Sequence, residues 1–240
     1  MTDSGQRWRT LTPRLKRVVM WGAADQGRVN RPILESLGCE IVALVDDTPG
    51  LGTPFAGVPL LAGWNALEGW LSNQDASVLG FVIAIGNPWG HVRRHLHARL
   101  VGAGLTPVSF ADPTALLCRS AAIGDGLQAM AQVIVHNDVR IGLQCILNTR
   151  CLVEHDCVLE DGVEIGPGAV LCGRVEIGAH TWIGAGATVR PRVKIGRNVI
   201  VGVGAAVVSD IPDGTVAVGV PARPVTGRST PSAIAESEKV

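Results

Sequence analysis

His155 and Asp156 stand side by side in the run Asn148-Thr149-Arg150-Cys151-Leu152-Val153-Glu154-His155-Asp156-Cys157. An imidazole with a pKa near ~6.5 accepts a proton at neutral pH and can serve as general base for a nucleophile. A carboxylate beside it fixes its tautomer and stabilises the cation that forms. Adjacent side chains in a regular strand diverge, so the two groups cooperate only where the backbone turns. His155 comes two residues after Val153, a member of an inward aliphatic series, and that phase puts it at a corner. Gly173 lies 18 residues further on. Its backbone N–H is the candidate donor to a developing oxyanion.

What must position these groups is a repeat. From Ile123 to Val207 an aliphatic residue, with Ala129 the exception, returns at every sixth position without insertion. A six-residue period is the signature of a parallel β-helix, in which three hexads form one triangular coil. Coils stack at strand spacing, ~4.8 Å, and stacking buries the apolar column that one coil cannot bury alone. Residues 18 apart then lie one above another. Asn137, His155, Gly173 and Pro191 share one column, and Arg174 and Arg192 share its neighbour. Cys145, Cys151 and Cys157 fall at the small inward position as compact apolar fillers rather than as disulfide partners. That usage, with an N-terminus lacking the apolar core of a signal peptide, points to a reduced, cytoplasmic protein.

Ahead of the repeat, residues 17–112 read as an α/β unit. Arg17–Ala23, Glu40–Val45, Gly80–Ile85 and Thr106–Phe110 read as strands. Asp25–Leu37 reads as a helix, and Pro88 is placed to open another running to Val101. Trp64 and Trp70 fall in a helical connection as packing residues. Alternating strands and helices imply a parallel sheet of Rossmann-like type, with ligands at the carboxyl ends of its strands. That rule selects Gly22, Ala24, Asp46, Asp47, Gly86 and Asn87. Asp46 is placed either to bind a ribose hydroxyl or merely to begin a turn. The loop Gly22 to Gly27 lacks the full Gly-x-Gly-x-x-Gly of a dehydrogenase. The expected plan is a flexible N-terminus (1–16), a nucleotide-sugar-binding α/β domain (17–112), a β-helix (113–225) and a flexible tail (226–240).

With 21 basic and 21 acidic residues in 240, the chain has no net charge to draw it to nucleic acid or to a membrane surface. No apolar run reaches the length of a membrane span.

The uninterrupted hexad domain behind a small α/β domain, closing in Val218-Gly219-Val220-Pro221-Ala222-Arg223, resembles the bacterial sugar O-acyltransferases of the sialic acid O-acetyltransferase type. The layout is most similar to the nucleotide-sugar N-acetyltransferases that act on UDP-, dTDP- or GDP-linked amino sugars. Gly22-Ala23-Ala24-Asp25-Gln26-Gly27, Val45-Asp46-Asp47 and the His155-Asp156 run carry the likeness. It implies a left-handed β-helix, a homotrimer with active sites between neighbouring subunits, and acetyl-coenzyme A as acyl donor with no metal. It also implies His155 as general base helped by Asp156, Gly173 at the thioester oxygen, and Asn148 near the acceptor sugar. Gly186, Gly204, Ala205, Gly219 and Val220 are then expected to line the coenzyme A path, with Arg223, Arg192 or Arg197 meeting a phosphate. Three departures stand out. Asp25-Gln26 replaces a Gly-His pair, Asp156 replaces a common Glu, and Glu164 stands nine residues after the base where His is common.

The favoured reading is N-acetylation of a nucleotide-linked amino sugar. O-acetylation of a sialic acid type of sugar and a non-catalytic binding protein are the alternatives. A β-helical zinc enzyme would need histidines gathered around the metal, and His136, His155 and His180 do not share a column. His91, His95 and His97, with Arg93, Arg94 and Arg99, read as a solvated helix face; the other reading is a contact to a sugar diphosphate from Asn87, Trp89 or His91. His180 reads as a surface residue. Trp182 should face outward, toward a subunit interface or coenzyme A.

Overall fold

The computed structural model describes residues 8–225. The first expected segment falls partly outside them and the tail 226–240 wholly so. Five parallel strands form the N-terminal sheet, in the order Leu60–Ala62, Glu40–Asp46, Arg17–Trp21, Leu79–Ile83, Thr106–Pro107. Their side chains alternate between two buried faces. Val18, Met20, Leu44 and Val82 pack with α1 (Asp25–Ser36). Val19, Trp21, Val45, Phe81 and Ile83 pack under α2 (Gly63–Leu71) and α3 (Gly90–Gly102). Burial on both faces is why the strands read as continuous apolar runs. Pro88 does not open α3, which starts two residues later; the Asn87–Pro88 peptide is cis.

The remainder is a left-handed β-helix with three faces. Face I runs from Phe110–Ala111 through Gln128–Ala129, Ile146–Leu147, Glu164–Ile165, Trp182–Ile183 and Ile200–Val201 to Val216–Val218. Face II carries Leu116–Cys118, Ile134–Val135, Leu152–Val153, Val170–Leu171, Thr188–Val189 and Ala206–Val207. Face III carries Ala122–Ile123, Arg140–Ile141, Val158–Leu159, Glu176–Ile177 and Lys194–Ile195. Val153 pairs with Leu171 and Leu171 with Val189, so the 18-residue stacking holds. The N–H of Asp156 bonds to the Asn137 carbonyl, that of Arg174 to His155 and that of Arg192 to Gly173, which confirms the predicted column. The inward aliphatic and cysteine positions form one continuous core. Burial pushes the thiols of Cys145 and Cys151 up to about 12.

Two expectations change. The strand expected over Thr106–Phe110 is split: Thr106–Pro107 joins the N-terminal sheet, while Phe110–Ala111 is already the first rung of face I. Residues 8–11, part of the segment expected to be flexible, lie at the base of the column. Trp8–Arg9 pairs antiparallel with Leu117–Cys118, and Leu11 packs on the β-helix core. At the other end Arg223–Pro224 pairs antiparallel with Ala217–Val218.

The N-terminal sheet docks on face I, where Met130 and Ile146 join the α1 cluster. A buried amide chain reinforces the seam: Asn30 donates to Gln128 at 2.7 Å, and Gln128 donates to the Ile83 carbonyl at 2.7 Å. Helix α3 closes it. Gly90 packs so tightly that a Cβ there would sit 2.2 Å from the Gly162 carbonyl oxygen.

Candidate active site

All seven residues expected to bind substrate line one cleft of about 680 Å³ between the two domains: Gly22, Ala24, Asp46, Asp47, Gly86, Asn87 and Asn148. Strand ends bring six of them there, as the strand-end rule requires. Asn148 comes from the opposite wall, at the corner where face I turns into face II. Gly22 has φ +99°, and a Cβ there would lie 2.3 Å from the Ala84 carbonyl oxygen, so only glycine lets the two loops approach. Asp46 braces this loop. One carboxylate oxygen accepts the Ala23 N–H at 2.8 Å and the other the Thr48 N–H at 2.9 Å. Burial opposes its charge, but these bonds outweigh it and hold the carboxyl below the ordinary range. The turn-forming role of Asp46 is therefore present, and each oxygen keeps a further acceptor site.

His155, Asp156 and Gly173 lie elsewhere, at the corner where face II turns into face III. His155 and Asp156 form the two-residue turn, and Asp156 has φ +60°. The turn brings the side chains together: His155 Nδ1 is 2.8 Å from Asp156 Oδ2. That bond, with Arg174 at 3.5 Å from the same oxygen, holds the Asp156 carboxyl below its usual range. A carboxylate on Nδ1 places the proton there and leaves the Nε2 lone pair outward. The ring lies over Gly173, where an added Cβ would be 2.5 Å from Nε2. The flanking N–H groups of Cys172 and Arg174 donate within the coil, whereas among the described residues that of Gly173 has no acceptor. Both side chains of the pair are nearly half exposed. The turn thus offers a base and an uncommitted N–H side by side on a half-exposed corner.

The residues expected along the coenzyme A path occupy the corner above Asn148 and the exit segment. Gly186 donates its N–H to Pro167, a cleft residue, and Gly204 to Ala185, so they stack upward from the cleft. The methyl of Ala205 is buried and its N–H is used by Gly202, which leaves little of it to meet a ligand. Gly219 accepts from Ala206, Val220 is fully outward, and Arg223 is exposed.

Two groups are not where the sequence suggested. Arg93, read as part of a solvated face, is wholly buried. It donates to the carbonyls of Ile85, Gln144 and Gly162 at 2.8–3.0 Å and lies 3.4 Å from Glu164. A guanidinium tolerates this because its fork reaches four acceptors and keeps its charge. His180, read as a surface residue, is half-buried against His91, ring centroids 6.4 Å apart. Burial holds both imidazoles below their ordinary value. Trp182 faces out of the coil but is half-buried, and its Nε1 has no hydrogen-bond partner among the described residues.

Glu164 was noted only as a departure from a pattern, and it proves to be part of the cleft wall. Its signal was its column: a carboxylate at an outward position between Ile146 and Trp182 must be buried with partners or exposed by a gap.

The family described as bacterial transferase hexapeptide (six repeats) matches residues 174–208. A histidine-to-alanine variant of GDP-perosamine N-acetyltransferase from Caulobacter crescentus, in complex with CoA and GDP-perosamine, is 32% identical with a TM-score of 0.80, over 89% of this chain and 99% of that one. The acetyltransferase domain of PglB from Neisseria gonorrhoeae FA1090, in complex with acetyl coenzyme A, is 31% identical with a TM-score of 0.78, over 88% and 100%. WeeI from Acinetobacter baumannii AYE is 28% identical with a TM-score of 0.77, over 87% and 99%.

Proposed function

Since the chain belongs to the nucleotide-sugar N-acetyltransferases of the left-handed β-helix type, and is an acetyltransferase that uses acetyl-coenzyme A, we propose that it acetylates the amine of a nucleotide-linked amino sugar. The nucleotide enters the cleft at Gly22, Asp46 and Gly86, and the sugar reaches Asn148. His155 Nε2 takes a proton from the acceptor nitrogen as that nitrogen attacks the thioester carbon. Asp156 holds the imidazolium, and the Gly173 N–H meets the carbonyl oxygen as it gains charge. Collapse of the adduct breaks the C–S bond, and the proton on His155 passes to the departing thiolate. The products are the acetamido sugar and free coenzyme A.

The single observation that carries this reading is the separation of its two halves. Within one chain the cleft and the base stand at the two ends of face II. They meet when a second copy brings its His155 corner to the first copy's Asn148 corner. A three-fold ring repeats that contact three times with none left over. The acyl donor lies in the same groove, along Pro167, Gly186 and Gly204.

The test is thiol release from acetyl-coenzyme A with a panel of UDP-, dTDP- and GDP-linked amino sugars. Turnover with one nucleotide series is expected. No turnover with any of them, alongside acetylation of a sialic acid hydroxyl, would replace this reading with O-acetylation.

A further inference from the structure

Glu164 lies on face I with 3% of its surface exposed, and burial pushes its carboxyl above the ordinary range even with Arg93 nearby. Arg93 gives it one long contact, because its shorter bonds go to three carbonyls. The closer donors are two cleft amides. Asn87 Nδ2 lies 3.0 Å and Asn148 Nδ2 3.2 Å from the same oxygen, Glu164 Oε1. Asn148 Nδ2 also donates to the Ile165 carbonyl at 3.1 Å. Both N–H groups of Asn148 are therefore committed, and only its carbonyl oxygen remains to meet a ligand. Flipping that amide would set its oxygen against the carboxylate and the Ile165 carbonyl together.

We infer that Glu164 is a positioning residue for acceptor selection: it locks Asn148 and braces Asn87 by their N–H groups, so the cleft wall at Asn148 is a pure hydrogen-bond acceptor. Such a wall takes an N–H donor on the sugar and repels a carbonyl oxygen at the same position. The cleft thereby favours a nucleotide amino sugar over the keto sugar of the same nucleotide. A site that hydrogen-bonds one partner rejects its mismatched analogue by leaving buried polar groups unpaired. This inference rests on the acetyl-transfer reading for the identity of the acceptor, but not for the geometry of the wall.

The test uses Glu164→Gln, which keeps the shape and allows Asn148 to turn. Acceptor affinity is measured by calorimetry without acetyl-coenzyme A, and kinetics separately. The variant should bind the amino sugar about tenfold more weakly, with KM raised by the same factor and kcat and the KM for acetyl-coenzyme A little changed. Its preference over the keto sugar should shrink. Asn148→Ala should weaken binding too, and the double variant should lose less than the two single losses summed, since Glu164 acts in part through Asn148. Unchanged amino-sugar binding in Glu164→Gln, or losses that add in the double variant, would overturn the inference while leaving acetyl transfer intact. Binding without turnover in the wild type would sink the acetyl-transfer reading, and the comparison of affinities would still decide the role of Glu164. No binding of any amino sugar by the wild type would sink both.

Discussion

The cleft and the His155 corner are opposite kinds of site on one chain. The cleft is walled by two domains, and partners from both brace its polar groups: Asp46 is held by the Ala23 N–H, Asn87 by Glu164 and Glu164 by Arg93. The corner is a two-residue turn on a regular coil, half exposed, with every contact made by residues next to it in sequence or one coil away. One is rigid because two domains clamp it. The other is rigid because each rung repeats the geometry of the last. The repeat shapes a turn to high accuracy on an open flank, and the α/β domain walls a cleft that has no histidine among its lining residues.

The sharpest way to break that comparison is to disable each half in a different chain. His155→Ala should lower turnover about 10³-fold while leaving acceptor binding in the cleft intact. Gly86→Trp should block the cleft and spare the base, because the nearest atom to a Cβ there is the Gln26 side-chain oxygen at 3.9 Å. Co-expressing the two inactive chains should restore about a quarter of wild-type activity if each site joins a cleft to a neighbour's base. Activity that stays at background in the mixed sample would place the whole site within one chain.

A second measurement sharpens the corner alone. Gly173→Ala sets a methyl against His155 Nε2. Turnover should fall about 10²-fold from displacement of the ring, with the melting temperature unchanged. Wild-type turnover in this variant would show that the ring does not work from the position seen here.

The smallest effect concerns the clamp. Burial depresses the pKa of His91, His97 and His180, so the folded chain favours their neutral form and the unfolded chain takes up protons first. Stability from these groups is full above ~6.5 and is lost as pH falls from there through the depressed values. The melting temperature should drop between pH 7 and pH 5, and less so in His180→Asn. A profile as steep in that variant as in the wild type would remove His180 from the clamp.

Much of this is legible in the sequence. The six-residue period places His155 at a turn, and strand ends gather the cleft loops, because both follow from local backbone geometry. Arg93 was not legible. In sequence it sits among His91, Arg94, His95 and His97, which look like a wet helix face, and its acceptors are carbonyls of Gln144 and Gly162 in another domain. Backbone carbonyls carry no residue signature, so nothing in the string marks them as partners. The split of Thr106–Phe110 was hidden for a related reason: both pieces are extended, and only pairing tells which sheet each joins.

The reversed strands at the two ends of the column decide how these molecules can associate. A stack of parallel rungs is a template onto which another molecule's rungs could be laid, and repetition would yield a filament. Trp8–Arg9 and Arg223–Pro224 run the wrong way for that, and Pro224 also lacks an N–H to offer. On the two faces they cover, the reversed strands interrupt the parallel register that a stacked neighbour would have to continue.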